Sequence, residues 1–312
     1  MCTVTVGAMF HTGLLPSDAA EGCGDRNLEQ SGLPRPGRQP PVLRIEIRMS
    51  LQQNGIRNVT LPKTPSFRLD SKRALVAGAS SGTGFAAAAA LGEAGAQVVM
   101  VARGAVNLAD AVAQLTGAGY DATALVLDIT DISATSEAVA TNGPFDVLVN
   151  SAGLARHGPA TETSPDDYDA VTDLNVKAAY FLTRAVATGL IAAQKTGSLI
   201  NVSSQMGHVG GIERAVYCAT KHALEGVTKA MAIEWGPHGI RVNTLCPTFI
   251  RTPLGEQTLA IPARRAWIED MIKLGRVGEV TDLMGPVVFL ASDAAALMTG
   301  TSLLIAGGWT AH

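Results

Sequence analysis

The stretch Ala74-Leu75-Val76-Ala77-Gly78-Ala79-Ser80-Ser81-Gly82-Thr83-Gly84-Phe85 decides the fold of this chain. It reads as an apolar strand, a glycine turn and the start of an alanine-rich helix. Glycine tolerates positive φ and lets another backbone or a ligand approach closely. The free N–H groups at the start of the following helix, with the positive end of its dipole, favour a phosphate. Tight strand-to-helix turns use glycine for other reasons too. The loop gains its weight from standing on the first strand of a βαβ unit.

Outward from this loop, short apolar runs alternate with helical stretches. Strand candidates are Ala74–Ala77, Gln97–Ala102, Ala122–Leu127, Asp146–Asn150, Ser198–Val202, Arg241–Leu245 and Ser302–Ile305. The first six are largely without polar alternation, as expected of strands buried on both faces. Helices are expected at Gly84–Ala94, Asn107–Thr116, Asp131–Ala140, Tyr168–Ala193, Ala215–Trp235 and Thr281–Ala291. This order predicts an α/β fold: one Rossmann-like, doubly wound domain over 66–312, with a seven-stranded, mostly parallel sheet and helices on both faces. A polar, partly helical insertion at 251–275 follows the end of a strand, the place for a lid.

Residues 1–65 differ in character. Ser31–Pro41 is rich in Pro, Gly and Arg, and no sustained period precedes it, so a disordered N-terminal extension is expected. A translation start at Met49 and a transit peptide are alternatives; Asp18, Glu21, Asp25 and Glu29 speak against the second. The 312-residue chain has a net charge of −3 and a pI of about 6.1, which gives no basic patch for nucleic acid. No segment reads as a membrane span or a secretory signal. The cysteines, Cys2, Cys23, Cys218 and Cys246, show no metal-ligand or redox spacing. Cys218 and Cys246 fall in predicted core elements, so buried thiols, a reducing compartment and a cytoplasmic location are expected, with no metal.

The second strand ends Val99-Met100-Val101-Ala102-Arg103. An acid that would hold a ribose 2′-hydroxyl is absent there, and Arg103 could pair with a 2′-phosphate. NADP(H) is therefore favoured, with NAD(H) as the alternative. Asp128, after the third strand, could accept from an adenine amino group or cap the next helix.

Further along stand Ser204 and Tyr217-Cys218-Ala219-Thr220-Lys221. A Tyr and a Lys four apart share a helix face. A nearby ammonium favours the phenolate and lowers the tyrosine pKa towards neutrality. That gives a proton donor and acceptor suited to neutral pH. An exposed helix pair is the plain alternative for Tyr217 and Lys221, a strand end for Ser204, and a backbone-bonded asparagine for Asn175.

The glycine loop, Asn150-Ser151-Ala152-Gly153, Asn175, Ser204, Tyr217-x-x-x-Lys221 and Cys246-Pro247-Thr248 occur together in one order. In this the chain resembles the short-chain dehydrogenase/reductase family, in its common single-domain branch, from about Phe67 to Thr310. The resemblance implies hydride transfer between a nicotinamide cofactor and a carbonyl or alcohol. Tyr217 would be the proton donor or acceptor. Lys221 would lower its pKa and hold the ribose, and Ser204 would hold the substrate oxygen. Asn175 would hold a water in a proton relay. The cofactor would be bordered by Gly78, Ser80, Ser81, Gly82, Thr83, Gly84, Arg103, Asp128, Ile129, Asn150, Ala152, Gly153, Tyr217, Lys221, Pro247, Ile250 and Thr252.

Departures from the family pattern are Ala77, Thr83, Ser151, Thr248 and Ala306; none removes a catalytic group. Arg156, His157, Gln205, His208, Glu213, Arg214, Arg264 and Arg265 are the substrate-pocket candidates. They lean towards a small polar substrate: a sugar, sugar acid or polyol. The tail Gly307-Gly308-Trp309-Thr310-Ala311 resembles members that act on gluconate-type substrates. A 3-oxoacyl thioester is a rival, because Arg264 and Arg265 could serve a pantetheine arm. A non-catalytic cofactor sensor is an alternative of another class. An extended-branch epimerase would need a larger C-terminal domain. Homotetramers or homodimers, paired through Tyr168–Ala193 and Ala215–Trp235, are expected from the resemblance.

Overall fold

The computed structural model describes residues 61–311. The N-terminal extension and the start at Met49 lie outside the described residues, apart from 61–65, which are exposed and carry no regular structure.

Seven strands form one sheet: β1 (Arg73–Ala77), β2 (Gln97–Ala102), β3 (Ala122–Val126), β4 (Val147–Asn150), β5 (Gly197–Val202), β6 (Ile240–Pro247) and β7 (Ser302–Ile305). All are parallel, in the order β3-β2-β1-β4-β5-β6-β7. The order reverses between β1 and β4, and the crevice at the carboxyl ends there is where such sheets bind ligands.

One face is covered by α1 (Gly82–Glu93), α2 (Ala105–Gly117) and α9 (Thr281–Ala291). Here Ala87, Ala88, Leu91, Val287 and Leu290 pack on Val76, Val98 and Ile200. The alanines of α1 cost no side-chain entropy in a helix and let it lie close to the sheet. The other face carries α3 (Ile132–Asn142), α5 (Ala179–Ala192) and α6 (Ala215–Trp235) over Leu75, Leu148 and Leu199. Each such fully buried side chain contributes roughly 1.5–3 kcal/mol.

Two expectations need correction. β3 is not buried on both faces: Thr123, Ala124 and Val126 are exposed, because β3 is the sheet's edge strand. The single helix expected over Tyr168–Ala193 is instead α4 (Pro165–Thr172), a π-helical turn over Asp173–Ala178, and α5. α4 begins earlier than periodicity implied, with Ser164 accepting from Asp167 N at 3.1 Å and Pro165 in its first turn.

Residues 251–275 hold two short helices, α7 (Pro253–Leu259) and α8 (Pro262–Met271). Thr252 caps α7 by accepting from Gly255 N at 3.1 Å. Leu259, Ile268 and Ile272 pack on Ala306 and Trp309, which follow β7. This small third cluster fastens the insertion to the C-terminal end of the sheet. Among the described residues no helix is long and apolar enough to cross a membrane. Cys246 is buried and Cys218 only half-buried, and neither forms a disulfide.

Candidate active site

The glycine loop leaves β1 with Gly78 at φ 75, and a Cβ there would lie 2.8 Å from Ala152 N. A Cβ on Gly84 would lie 2.2 Å from the Gly78 carbonyl oxygen. The first glycine thus brings the loop against β4, and the last lets α1 start directly beneath it. Ser81 precedes α1 with extended backbone, and its hydroxyl caps nothing. The N–H groups of Gly78 and Ala79 donate to the Val101 carbonyl at 2.9 and 3.1 Å, so the loop keeps those from Ser80 onward and the Ser81 hydroxyl for a ligand.

This loop forms one wall of a cleft of about 400 Å³. Gly78, Ser80, Ser81, Gly82 and Thr83 line it, as do Arg103, Asp128, Ile129, Ala152 and Gly153. Arg103 is 72% exposed, with its guanidinium 3.8 Å from Asp128 Oδ2. Asp128 accepts from Thr130 N at 3.0 Å and from its hydroxyl at 2.7 Å. It does not cap α3; Asp131 does, accepting from Ala134 N at 2.9 Å. Against its partial burial, Thr130 and then Arg103 hold the Asp128 carboxyl below its ordinary pKa. A narrow groove with phosphate-ready N–H groups at one end and a free-reaching arginine at the other fits a dinucleotide bearing a 2′-phosphate.

A smaller cavity of about 170 Å³ adjoins the cleft and shares Thr83, Ser151, Gly153, Thr252 and Leu254 with it. Ser204, Tyr217 and Lys221 meet on its wall, joined by Pro247 and Ile250. Tyr217 and Lys221 stand one turn apart on α6, with Lys221 Nζ 5.5 Å from the phenol ring centroid. Lys221 is 4% exposed and donates to the Val202 carbonyl at 2.9 Å. Burial lowers its pKa to about 8. Ser204 donates to Gln205 Oε1 at 2.9 Å and accepts from Met206 N at 3.1 Å, so its hydroxyl is held in one orientation.

The Tyr217 pKa departs from expectation. Burial pushes the phenol above its ordinary value, while the Ser204 hydroxyl and the Arg214 charge pull the other way. Lys221 is not among the groups that pull it down; its ammonium donates to the Val202 carbonyl and lies 5.5 Å from the ring centroid.

Asn175 also holds backbone in place. It is 1% exposed within the π-helical turn. Its Oδ1 accepts from Leu154 N at 2.8 Å, and its Nδ2 donates to Leu154 O at 2.8 Å and Thr220 Oγ1 at 3.2 Å. The side chain thus clamps the segment that follows Gly153, and its Oδ1 keeps a second lone pair. Asn150 similarly donates to Asn201 Oδ1 at 3.2 Å and accepts from Ala152 N at 3.3 Å, tying β4 to β5.

Of the expected substrate contacts, His157, Gln205 and Arg214 line the smaller cavity. Glu213 and Arg264 border the depression beside it. Arg156 is turned to Asp167, Arg265 to Glu269, and His208 Nε2 lies 3.8 Å from Glu225 Oε2. Sequence reasoning did not name Phe249, Thr258, Leu254 and Met206, which also line the cavity. Phe249, an aromatic directly after Cys-Pro-Thr at a strand end, carried a readable signal; the others did not. It also missed Glu225, which is 6% exposed and accepts from Thr244 Oγ1 at 2.8 Å and from Ser302 Oγ.

The short-chain dehydrogenase family model described as enoyl-(acyl carrier protein) reductase matches residues 78–310. The chain belongs to the short-chain dehydrogenase/reductase family. It is 39% identical over 244 residues to the L-xylulose reductase of Bos taurus, covering 78% of this chain and 98% of the relative. It is 38% identical over 251 residues to the 2-dehydro-3-deoxy-D-gluconate 5-dehydrogenase of Escherichia coli strain K12, covering 79% and 98%. Among solved structures it resembles a gluconate 5-dehydrogenase from Burkholderia cenocepacia J2315 in complex with NADP and tartrate. The TM-score is 0.75 and the identity 34%, over 79% of this chain and 98% of that one.

Proposed function

We propose that this short-chain dehydrogenase/reductase is an NADP(H)-dependent enzyme that moves a hydride between the cofactor and a ketone or secondary alcohol of a small polyhydroxylated substrate. The observation that carries the reading is the meeting of Ser204, Tyr217 and Lys221 on the wall where the dinucleotide-sized cleft opens into the small cavity. Relatives named for sugars and sugar acids, and a neighbour holding NADP, support it. The nicotinamide supplies the hydride or accepts it. In reduction the Tyr217 hydroxyl gives its proton to the carbonyl oxygen as hydride reaches the carbon. Ser204, held by Gln205 and Met206, fixes that oxygen beside the phenol. Lys221 would hold the ribose hydroxyls of the cofactor with its charged ammonium. Asn175 positions the segment after Gly153. Arg103 would hold the 2′-phosphate.

The thioester rival loses its support in the lid: Arg264 pairs with Glu213 at 2.7 Å and Arg265 with Glu269 at 2.9 Å. Neither offers free basic surface for a pantetheine arm. Half-exposed Tyr168 on α4 and Tyr180 on α5, with Ile233 on α6, support pairing of these helices in a homodimer or homotetramer. Unpaired Cys218 and Cys246 support a reducing, cytoplasmic setting.

The test is nicotinamide absorbance with purified protein and a panel of sugars, polyols, sugar acids and a 3-oxoacyl thioester. Tyr217→Phe should keep NADPH affinity and lose about 10²–10⁴ in turnover. Undiminished turnover by Tyr217→Phe would refute the assignment.

A further inference from the structure

Arg214 has a feature that the reaction scheme does not use. Three residues before Tyr217, it lines the small cavity and also the neighbouring depression bordered by Trp267 and Ile268. It is half-buried, with its guanidinium carbon 5.1 Å from the centre of the Phe249 ring. One arm reaches Thr258 Oγ1 at 3.4 Å, and the other meets the His157 ring, whose edge faces Tyr217 at 6.0 Å between centroids. Among the described residues no carboxylate forms an ion pair with it. The adjacent acid, Glu213, sits at φ 59 and gives its carboxylate to Arg264 at 2.7 Å.

At this end of the cavity, away from Lys221, Arg214 is therefore an uncompensated cation. Glu213 and Arg264 cancel. His157 is neutral at working pH, because partial burial and then the Arg214 and Arg264 charges hold its pKa down at about 4. A guanidinium drawn from water against an aromatic ring, with only a hydroxyl and a neutral imidazole as partners, is costly unless an anion completes it. A guanidinium has five N–H donors and can grip a carboxylate bidentately. The neutral His157 adds a hydrogen-bonding ring nitrogen without adding charge.

We propose that Arg214 is the carboxylate anchor of the substrate site, so that the preferred substrate is a hydroxy or oxo acid of sugar type rather than an uncharged sugar or polyol. This rests on the oxidoreductase reading above and narrows it. His157 and Thr258 hold the guanidinium in place, and Phe249 forms the apolar backing that keeps water from one of its faces.

The test compares D-gluconate, D-xylonate and L-threonate with D-glucitol, xylitol and L-threitol as substrates with NADP⁺, in wild type, Arg214→Gln and Arg214→Lys. Expected is a wild-type preference for the acids. In Arg214→Gln the acid-to-polyol ratio of kcat/KM should fall roughly 10- to 100-fold, mainly through KM, as for loss of a hydrogen bond to a charged group. Arg214→Lys should recover part of it. A second readout is independent of turnover: with NADP⁺ present, gluconate or tartrate should raise the Tm of wild type and not that of Arg214→Gln. Unchanged NADPH affinity certifies that each variant is folded. Polyols preferred over acids, or an equal loss on both classes in Arg214→Gln, would overturn the anchor while leaving the oxidoreductase reading intact. An Arg214-dependent Tm shift without Tyr217-dependent turnover would uphold the anchor and refute that reading instead. Neither a Tm shift nor turnover with any acid would overturn the anchor.

Discussion

Lys221 and Tyr217 show how burial and function pull against each other in single side chains. The Lys221 pKa of about 8 lies below the ordinary lysine value of 10.5. Between these values the unfolded chain holds a proton that the folded chain has released, so this group's contribution to stability rises with pH across that window. Below it, the enclosed ammonium costs stability. The charged form serves the reaction, so kcat/KM for carbonyl reduction should fall as pH rises through about 8. His157, held at about 4, should add no inflection near the ordinary histidine pKa of 6.5. A pH–rate profile of the reduction checks both points; a flat alkaline limb would remove Lys221 from its electrostatic role. Arg103 offers a second test at this scale. Its only acidic partner among the described residues is Asp128 at 3.8 Å, and it is largely exposed, so it is free to turn to a phosphate. Arg103→Asp should shift the NADP-to-NAD ratio of kcat/KM by roughly 10- to 100-fold towards NAD, the value of a charge-assisted contact. The ratio measured with both cofactors decides it.

At the level of elements, the loop between β1 and α1 is set by sterics that can be tested directly. A methyl group on Gly84 would lie 2.2 Å from the Gly78 carbonyl oxygen, a backbone atom that cannot step aside without moving the loop. Gly84→Ala should therefore cost about 1–3 kcal/mol of stability, as overpacking does, and weaken NADPH binding. Thermal unfolding and a fluorescence titration report the two effects; unimpaired binding would show that the loop does not position the phosphates. This loop was fully legible in the sequence, because strand, glycines and helix start are all local signals. Five of the seven strands were likewise legible as buried runs, whereas β3 differed because an edge position is decided by sheet order and not by composition. The π-helical turn was illegible: Asp173–Ala178 has ordinary helical composition, and the extra residue that turns Asn175 towards Leu154 exists only in the tertiary context. The same holds for the site. Ser204, Tyr217 and Lys221 could be read from type and spacing, while Phe249, Thr258 and the choice of Arg214 over Arg156 depend on which neighbours hold which acids.

At the scale of the whole molecule, every residue placed in the cofactor cleft and small cavity lies between Gly78 and Thr258. A chain beginning at Met49 should keep full turnover and cofactor affinity, checked side by side with the 312-residue protein. A loss of either would give the first 48 residues a part in the site.

Glu225 joins the helix that carries Tyr217 and Lys221 to Thr244 on β6 and Ser302 on β7, and the two short helices over the cavity rest on Ala306 and Trp309. The catalytic helix and its cover are thus both fastened to residues 302–309. A nascent chain can assemble the phosphate loop early, but it has no finished reaction chamber until that late segment has left the ribosome. Premature termination before residue 302 would therefore yield a protein able to hold a nucleotide and unable to use it.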